Sequence, residues 1–335
     1  MSVKIPIRTF SPVELADDFE DYSFFPIRRL NLIKYYYQQR SVHWVPNEMD
    51  MTKDRNSYDN APKIIQTLVN GVLCFFVFAD GFVCENIGEN LLRDTGFWKE
   101  VRSVYAEFNS METIHGEMYS IMADTLIRDR TTLDAIYASY KDSPMVRGIR
   151  NFMIKYKNPD LPLTHRILAF ACVEGILFNT AFTAVQWIKK RNILIGFCKA
   201  NEYISRDELI HELFALELLI MIMQKPGFAG TLSQKDAISI ITEAVEVNRI
   251  FTETIVPQGL IGLSHDELHQ YTKQTANFIL ETLFQTSLYE KTNKNVFEWM
   301  RNMHMVNKTN FFEDIVTEYQ KVNDSSFDFD LTVEF

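Results

Sequence analysis

Two short segments of this chain repeat one chemical spacing. Glu112-Thr113-Ile114-His115 and Glu208-Leu209-Ile210-His211 each set a carboxylate three residues before an imidazole. Positions i and i+3 of an α-helix share a face, so each segment offers two metal-ligating groups to the same neighbour. A single Glu-x-x-His is common on a solvated helix face. Here a second copy is joined by two acids, Asp80 and Glu174, set in apolar runs. Cys74-Phe75-Phe76-Val77-Phe78-Ala79 precedes the first, and Phe170-Ala171-Cys172-Val173 precedes the second. An unpaired charge there is costly, and neither run carries a cation at helical spacing. Two Glu-x-x-His units plus one carboxylate from each of two more helices form the ligand pattern of ferritin-like dimetal carboxylate proteins. Four carboxylates balance two divalent ions, and carboxylate with imidazole suits iron or manganese. The predicted ligands are Asp80, Glu112, His115, Glu174, Glu208 and His211.

Other residues share faces with these ligands. Tyr119 stands four positions after His115 and seven after Glu112. Phe178 and Phe182 stand four and eight after Glu174, and Ile204 four before Glu208. Taken singly, the three apolar residues read as core packing. Tyr119 differs, because a dimetal centre that activates oxygen can remove an electron and a proton from a phenol. A dry apolar wall would shield the product. A rival motif, His265-Asp266-Glu267-Leu268-His269, spaces two histidines like a zinc protease helix. It lacks the Glu required directly after the first His, and Ser264 with Glu267 fits a capping box instead. His43, His165 and His304 have no partner pattern.

Long helices must carry this arrangement. The 335 residues are 47% apolar, with 26 Phe but only 12 Gly and 10 Pro, which favours helix over sheet or loop. The pattern predicts helices over about 26–39, 61–92, 96–127, 164–190, 200–224, 234–255 and 266–290, with shorter ones up to 156 and near 294–301 and 309–321. Residues 40–60 read mostly as loop. The expected fold is all-α: a ferritin-like helical bundle with additional helices. An irregular segment (1–25) would precede the helical domain (26–322), and a flexible acidic tail (323–335) would follow it. The net charge of -10 argues against a nucleic-acid binder held by phosphate contacts. Two stretches, 64–87 and 167–188, are apolar enough to suggest a membrane, but each holds an interior acid. Burial within a bundle explains them better. Cys74, Cys84, Cys172 and Cys198 show no CxxC spacing, and residues 1–21 lack an apolar signal region. Reduced thiols and a cytoplasmic location (the host cytosol for a viral chain) are expected.

At this point the motifs converge on a known family. From about Leu30 to Phe335 the chain resembles the small, radical-carrying subunit of class I ribonucleotide reductase. The resemblance rests on Asp80-Gly81-Phe82-Val83-Cys84-Glu85-Asn86, Met111-Glu112-Thr113-Ile114-His115-Gly116-Glu117-Met118-Tyr119-Ser120, Val173-Glu174-Gly175-Ile176 and Asn201-Glu202-Tyr203-Ile204-Ser205-Arg206-Asp207-Glu208. These segments look more like the eukaryotic and large-virus branch than the bacterial manganese branch. The resemblance implies that all six ligands hold two iron ions, with manganese as the alternative, and that O2 generates a stable radical on Tyr119. It implies radical transfer through Trp44, held by Asp207 beside Arg206, and onward through Tyr319 to a large subunit that reduces ribonucleotides. His43 departs from the aromatic residue that often precedes that Trp. A metal-bound His usually donates its other N–H to a carboxylate, and Asp207 would serve His115 so. The resemblance further implies a homodimer, and docking of the large subunit by Phe327, Leu331 and Phe335 of the tail. Two rival functions share the ligand pattern: another di-iron oxidase or hydroxylase, and non-enzymatic iron storage. Neither requires Trp44, Asp207, Tyr319 and a docking tail together.

Overall fold

The computed structural model describes residues 22–225, 231–290, Gly227, Phe297 and Met300. Those up to Phe297 belong to one compact unit. Tyr319, Phe327, Leu331, Phe335 and the helices expected near 294–301 and 309–321 fall outside the described residues, save Phe297 and Met300. So does most of the segment 1–25.

Eleven helices are numbered here: α1 Leu30–Ser41, α2 Asp54–Asp59, α3 Lys63–Asn86, α4 Lys99–Leu126, α5 Arg130–Lys141, α6 Pro144–Lys157, α7 Leu163–Cys172, α8 Asn179–Lys189, α9 Ile195–Met223, α10 Gln234–Ile255 and α11 His265–Phe284. No strand occurs among the described residues. The bundle is built from α3 against α4 and α7–α8 against α9, with α1 laid over α4 and α9, and α10 closing the other side. Local signals set several starts. Asp129 caps α5, and Ser143 caps α6 with Pro144 in its first turn. Capping boxes open α10 at Ser233/Asp236 and α11 at Ser264/Glu267. The zinc-protease-like histidines thus sit at an ordinary helix start.

Several boundaries differ from the sequence pattern. The helix expected over 164–190 is not continuous: α7 passes into a π turn at Val173–Leu177 before α8 begins. Similarly, α3 passes into a π turn at Ile87–Leu91 and a short helix at Leu92–Thr95. The stretch 40–60 is not all loop, since it contains a 3-10 turn at Pro46–Glu48 and then α2. That helix explains why α9 begins before residue 200. Buried Asp54 accepts from the backbone N–H of Gly196, at 3.1 Å, and of Phe197. Gly196 is required there, because a Cβ would lie 2.3 Å from the carbonyl oxygen of Asp50. A left-handed Gln285 (φ 55°) ends α11 at Phe284, short of the expected 290.

Two stretches, Lys63–Thr95 and Leu163–Lys189, are long and apolar enough to cross a bilayer. The protein covers most of them itself: 61% and 94% of their most apolar windows are buried within it. They are the inner rods of the bundle.

Candidate metal centre

The four inner rods bring all six predicted ligands together. Asp80 comes from α3, Glu112 and His115 from α4, Glu174 from the π turn after α7, and Glu208 and His211 from α9. Every one is buried. They form two overlapping groups, Asp80/Glu112/His115/Glu208 and Glu112/Glu174/Glu208/His211, whose ligating atoms lie within 4.8 Å of one another. Glu112 and Glu208 belong to both groups. The histidines point Nδ1 at this shared pair. His211 lies 3.0 Å from Glu112 Oε1 and 2.9 Å from Glu208 Oε2. His115 lies 3.1 Å from Glu208 Oε1 and 3.6 Å from Glu112 Oε2.

The donor set fits a metal pair. The carboxylate oxygens of Asp80 and Glu174 have no hydrogen-bond partner, and those of Glu112 and Glu208 meet only the two histidine Nδ1 atoms, without hydrogen-bond geometry. Buried polar atoms left in that state are costly unless something else satisfies them. Their titration shows the same demand. Burial raises Asp80 well above the usual carboxylate range, and the charges of Glu112 and Glu208 add to the rise. Burial also raises Glu174, with Glu208 and Glu112 adding. Burial would raise Glu208 too, but His115 and His211 outweigh it and bring it down to about 2. Burial would lower His211, yet Glu112 and Glu208 lift it to about 9. His115 is likewise lifted well above its ordinary value, against burial, by Glu208, Asp207 and Glu112. The cluster therefore collects protons, and divalent cations are the natural replacement for them.

The π turn that presents Glu174 is held from two sides. Its Ile176 carbonyl accepts from Asn248 Nδ2 of α10 at 2.5 Å. On the other side, Gly175 meets Glu212 of α9, and a Cβ at 175 would lie 2.3 Å from Glu212 Oε1. Glu212 is itself buried, Oε1 has no partner, and burial raises its pKa to about 8.

Beyond the ligands, a polar relay runs to an indole. Asp207 Oδ2 accepts from Trp44 Nε1 at 2.8 Å and lies 3.2 Å from His115 Nε2. Trp44 is 1% exposed, so it is no surface aromatic. Its ring stacks at 6.1 Å over His115 and meets Tyr203 edge-on at 5.8 Å. Arg206 donates to the Val42 carbonyl at 2.6 Å and pins the segment that carries Trp44.

Tyr119 is buried beside the ligands, and burial raises its pKa well above the usual phenol value, with Asp80, Glu208 and Glu112 contributing. Phe178, Phe182 and Ile204 are buried as well. The ring against Tyr119 is nevertheless Phe76, stacked at 4.7 Å and 10°. Phe178 and Phe182 pack on Phe76 at 5.5 Å and 4.8 Å, one layer behind. Sequence reasoning passed over Phe76, although it stands four before Asp80, the same offset that singled out Ile204 before Glu208. It also missed Asn201, whose Oδ1 accepts from Tyr119 Oη at 2.8 Å. Asn201 lies seven residues before Glu208, two turns back on one face, so helical spacing carried that signal too.

Comparison with known proteins follows the same line. The sequence profile of the family described as ribonucleotide reductase, small chain, matches residues 21–296. The ribonucleoside-diphosphate reductase small chain of Spisula solidissima is 34% identical over 309 residues, spanning 92% of this chain and 78% of that protein. The small chain of Variola virus is 32% identical over 324 residues, spanning 96% and 99%. Among solved structures, the ribonucleotide reductase R2 subunit from Clostridium botulinum superposes with a TM-score of 0.72 at 20% identity, over 83% of this chain and 90% of that one. A ribonucleotide reductase homodimer from Saccharomyces cerevisiae gives a TM-score of 0.67 at 22% identity, over 84% and 89%. The shared fold is the ferritin-like helical bundle.

Proposed function

The chain belongs to the ribonucleotide reductase small-chain family, and from that premise we propose that its six buried ligands hold two iron ions beside a radical-bearing Tyr119. As a small subunit of ribonucleoside-diphosphate reductase it is an oxidoreductase component that works with a large subunit. The bound metal pair would supply oxygen activation and the one-electron oxidant. The chain's residues do the rest. Glu112 and Glu208, common to both ligand groups, would help to hold both ions, with Asp80 and His115 serving one and Glu174 and His211 the other. Phe76, backed by Phe178 and Phe182, keeps water from the phenol. Asp207 ties Trp44 to His115, and the oxidising equivalent leaves by that route toward Tyr319 and the large subunit. Two copies of the chain form the working homodimer in the cytoplasm, and Phe327, Leu331 and Phe335 dock the large subunit.

The observation that carries this reading is the shared carboxylate, with Asp207 contacting both Trp44 at 2.8 Å and His115 at 3.2 Å. An oxidase acting on a small molecule, or an iron store, has no use for a wire that leads away from the metals. The test is electron paramagnetic resonance after iron loading under oxygen. Wild type should give a tyrosyl signal that Tyr119→Phe lacks, and manganese loading serves as the alternative. Silence under both metals sinks the radical reading. Removing residues 323–335 should abolish turnover and leave the radical in place. A truncated chain that still turns over would remove the tail from the docking role.

A further inference from the structure

The hydroxyl of Tyr119 has one hydrogen bond among the described residues, and its partner is none of the ligands. Oη donates to Asn201 Oδ1 at 2.8 Å, with both residues buried. The other end of that amide is tied. Nδ2 donates to the Phe197 carbonyl, one turn back, at 2.9 Å, and faces Met122 Sδ at 3.7 Å. These contacts fix which way the amide points. Turning it over would press Oδ1 against the Phe197 carbonyl oxygen, acceptor against acceptor. Asn201 therefore presents an acceptor to the phenol, and its donor is engaged elsewhere.

We propose that Asn201 is a catalytic residue of the radical site: it aims the O–H bond of Tyr119 and favours the reduced phenol over the phenoxyl radical. The proposal rests on the reading of Tyr119 as the radical carrier. Oxidation breaks the O–H bond, sending one electron to the oxygen-derived oxidant and one proton away from the phenol. An amide oxygen is too weak a base to keep that proton. It leaves with the electron, and both end on oxygen, the oxidant, which is reduced towards water. Asn201 Oδ1 is left facing an oxygen that has no hydrogen to share, so the bond exists on the reduced side of the couple only. When the radical takes back an electron and a proton, the bond is regained. A residue held this way gives up its oxidising equivalent readily, as a carrier that must pass it on requires.

Asn201→Leu keeps the approximate volume and deletes the acceptor. In the metal-free full-length protein, the C–O stretch of Tyr119 is isolated by infrared difference against Tyr119→Phe. It should move to the position of a phenol without an acceptor. In the metal-loaded protein, the tyrosyl signal should persist about fivefold longer than in wild type, the worth of one buried hydrogen bond. Its hyperfine splitting should change as the ring is released. An unmoved infrared band, or an unchanged lifetime, overturns the proposal. Should Asn201→Leu hold less metal, Asn201→Ser decides. Its hydroxyl can donate to the phenoxyl oxygen, so the lifetime must lengthen and the largest g-value must fall; otherwise the proposal fails. Absence of any tyrosyl signal in wild type overturns this proposal and the radical reading together, whereas failure confined to the Asn201 variants overturns this one alone.

Discussion

The four rods around the centre fall into two kinds. Helices α4 and α9 each contribute a Glu-x-x-His pair and run unbroken for 28 and 29 residues. The α3 rod and the α7–α8 rod each contribute one carboxylate, and each contains a π turn. The difference follows from the ligands. Two groups at i and i+3 point the same way only while the α-helical phase is kept, so a π turn inside either pair would split it. A lone carboxylate carries no such constraint, and Glu174 sits within the π turn itself. The bundle thus sets two continuous rods against two interrupted ones, and substitutions can test the contrast.

The largest effect is expected on metal content. Glu208→Ala removes an acid common to both ligand groups, so both positions should empty. The loss should exceed the roughly tenfold cost of removing even an outer-sphere partner. Glu174→Ala touches one group and should retain about half the metal. Equal losses by elemental analysis would erase the distinction between the two kinds of rod. Next comes a pH effect where a continuous rod meets an interrupted one. Burial raises the pKa of Glu212 to about 8, against an ordinary 4.5. Between those values the folded chain holds a proton that the unfolded chain has released. Wild-type stability should therefore fall as pH rises through that window, by at most about 1.4 kcal/mol per pH unit. Denaturant unfolding of the metal-free protein, compared with Glu212→Gln, should show the gap opening from pH 5 to 8 and flattening above. A pH-independent gap would mean that Glu212 is charged in the folded protein.

Smaller effects separate the two kinds of rod by a single methyl group. At Gly175, Ala collides with Glu212 at 2.3 Å, and overpacking should cost about 1–3 kcal/mol. At Gly116 on α4, a Cβ meets nothing within 4 Å. Ala there should stabilise by about 0.5–1 kcal/mol through helix propensity. Melting temperatures that move the same way in both variants would contradict the packing seen here.

Much of this centre was legible in the sequence because helical phase is a local property. The two Glu-x-x-His pairs and the acids in apolar runs needed no knowledge of the fold. Asn201 and Phe76 carried the same phase signal, but an Asn and one Phe in a Phe-rich run do not stand out by chemistry. What lay beyond local reach were the contacts between distant segments. Asp54 capping α9 joins positions 142 residues apart, and Trp44 with Asp207 joins positions 163 apart. The family resemblance supplied the second pair, while nothing in residues 40–60 announced the first. The π turn at Glu174 was hidden for another reason. Val173-Glu174-Gly175-Ile176-Leu177 reads as ordinary helix, and the turn depends on Asn248 and Glu212 from other helices.

That turn makes the α7–α8 rod a shaft cut and rejoined out of phase. One extra residue in a turn rotates everything beyond it by about 100° relative to a straight helix. The half before the cut and the half after it therefore display different stripes of the sequence. Beyond it, Phe178 and Phe182 come to rest on Phe76 rather than on Tyr119. Deleting one residue between 173 and 177 would restore a straight shaft, and those two rings would swing off the stack behind the phenol.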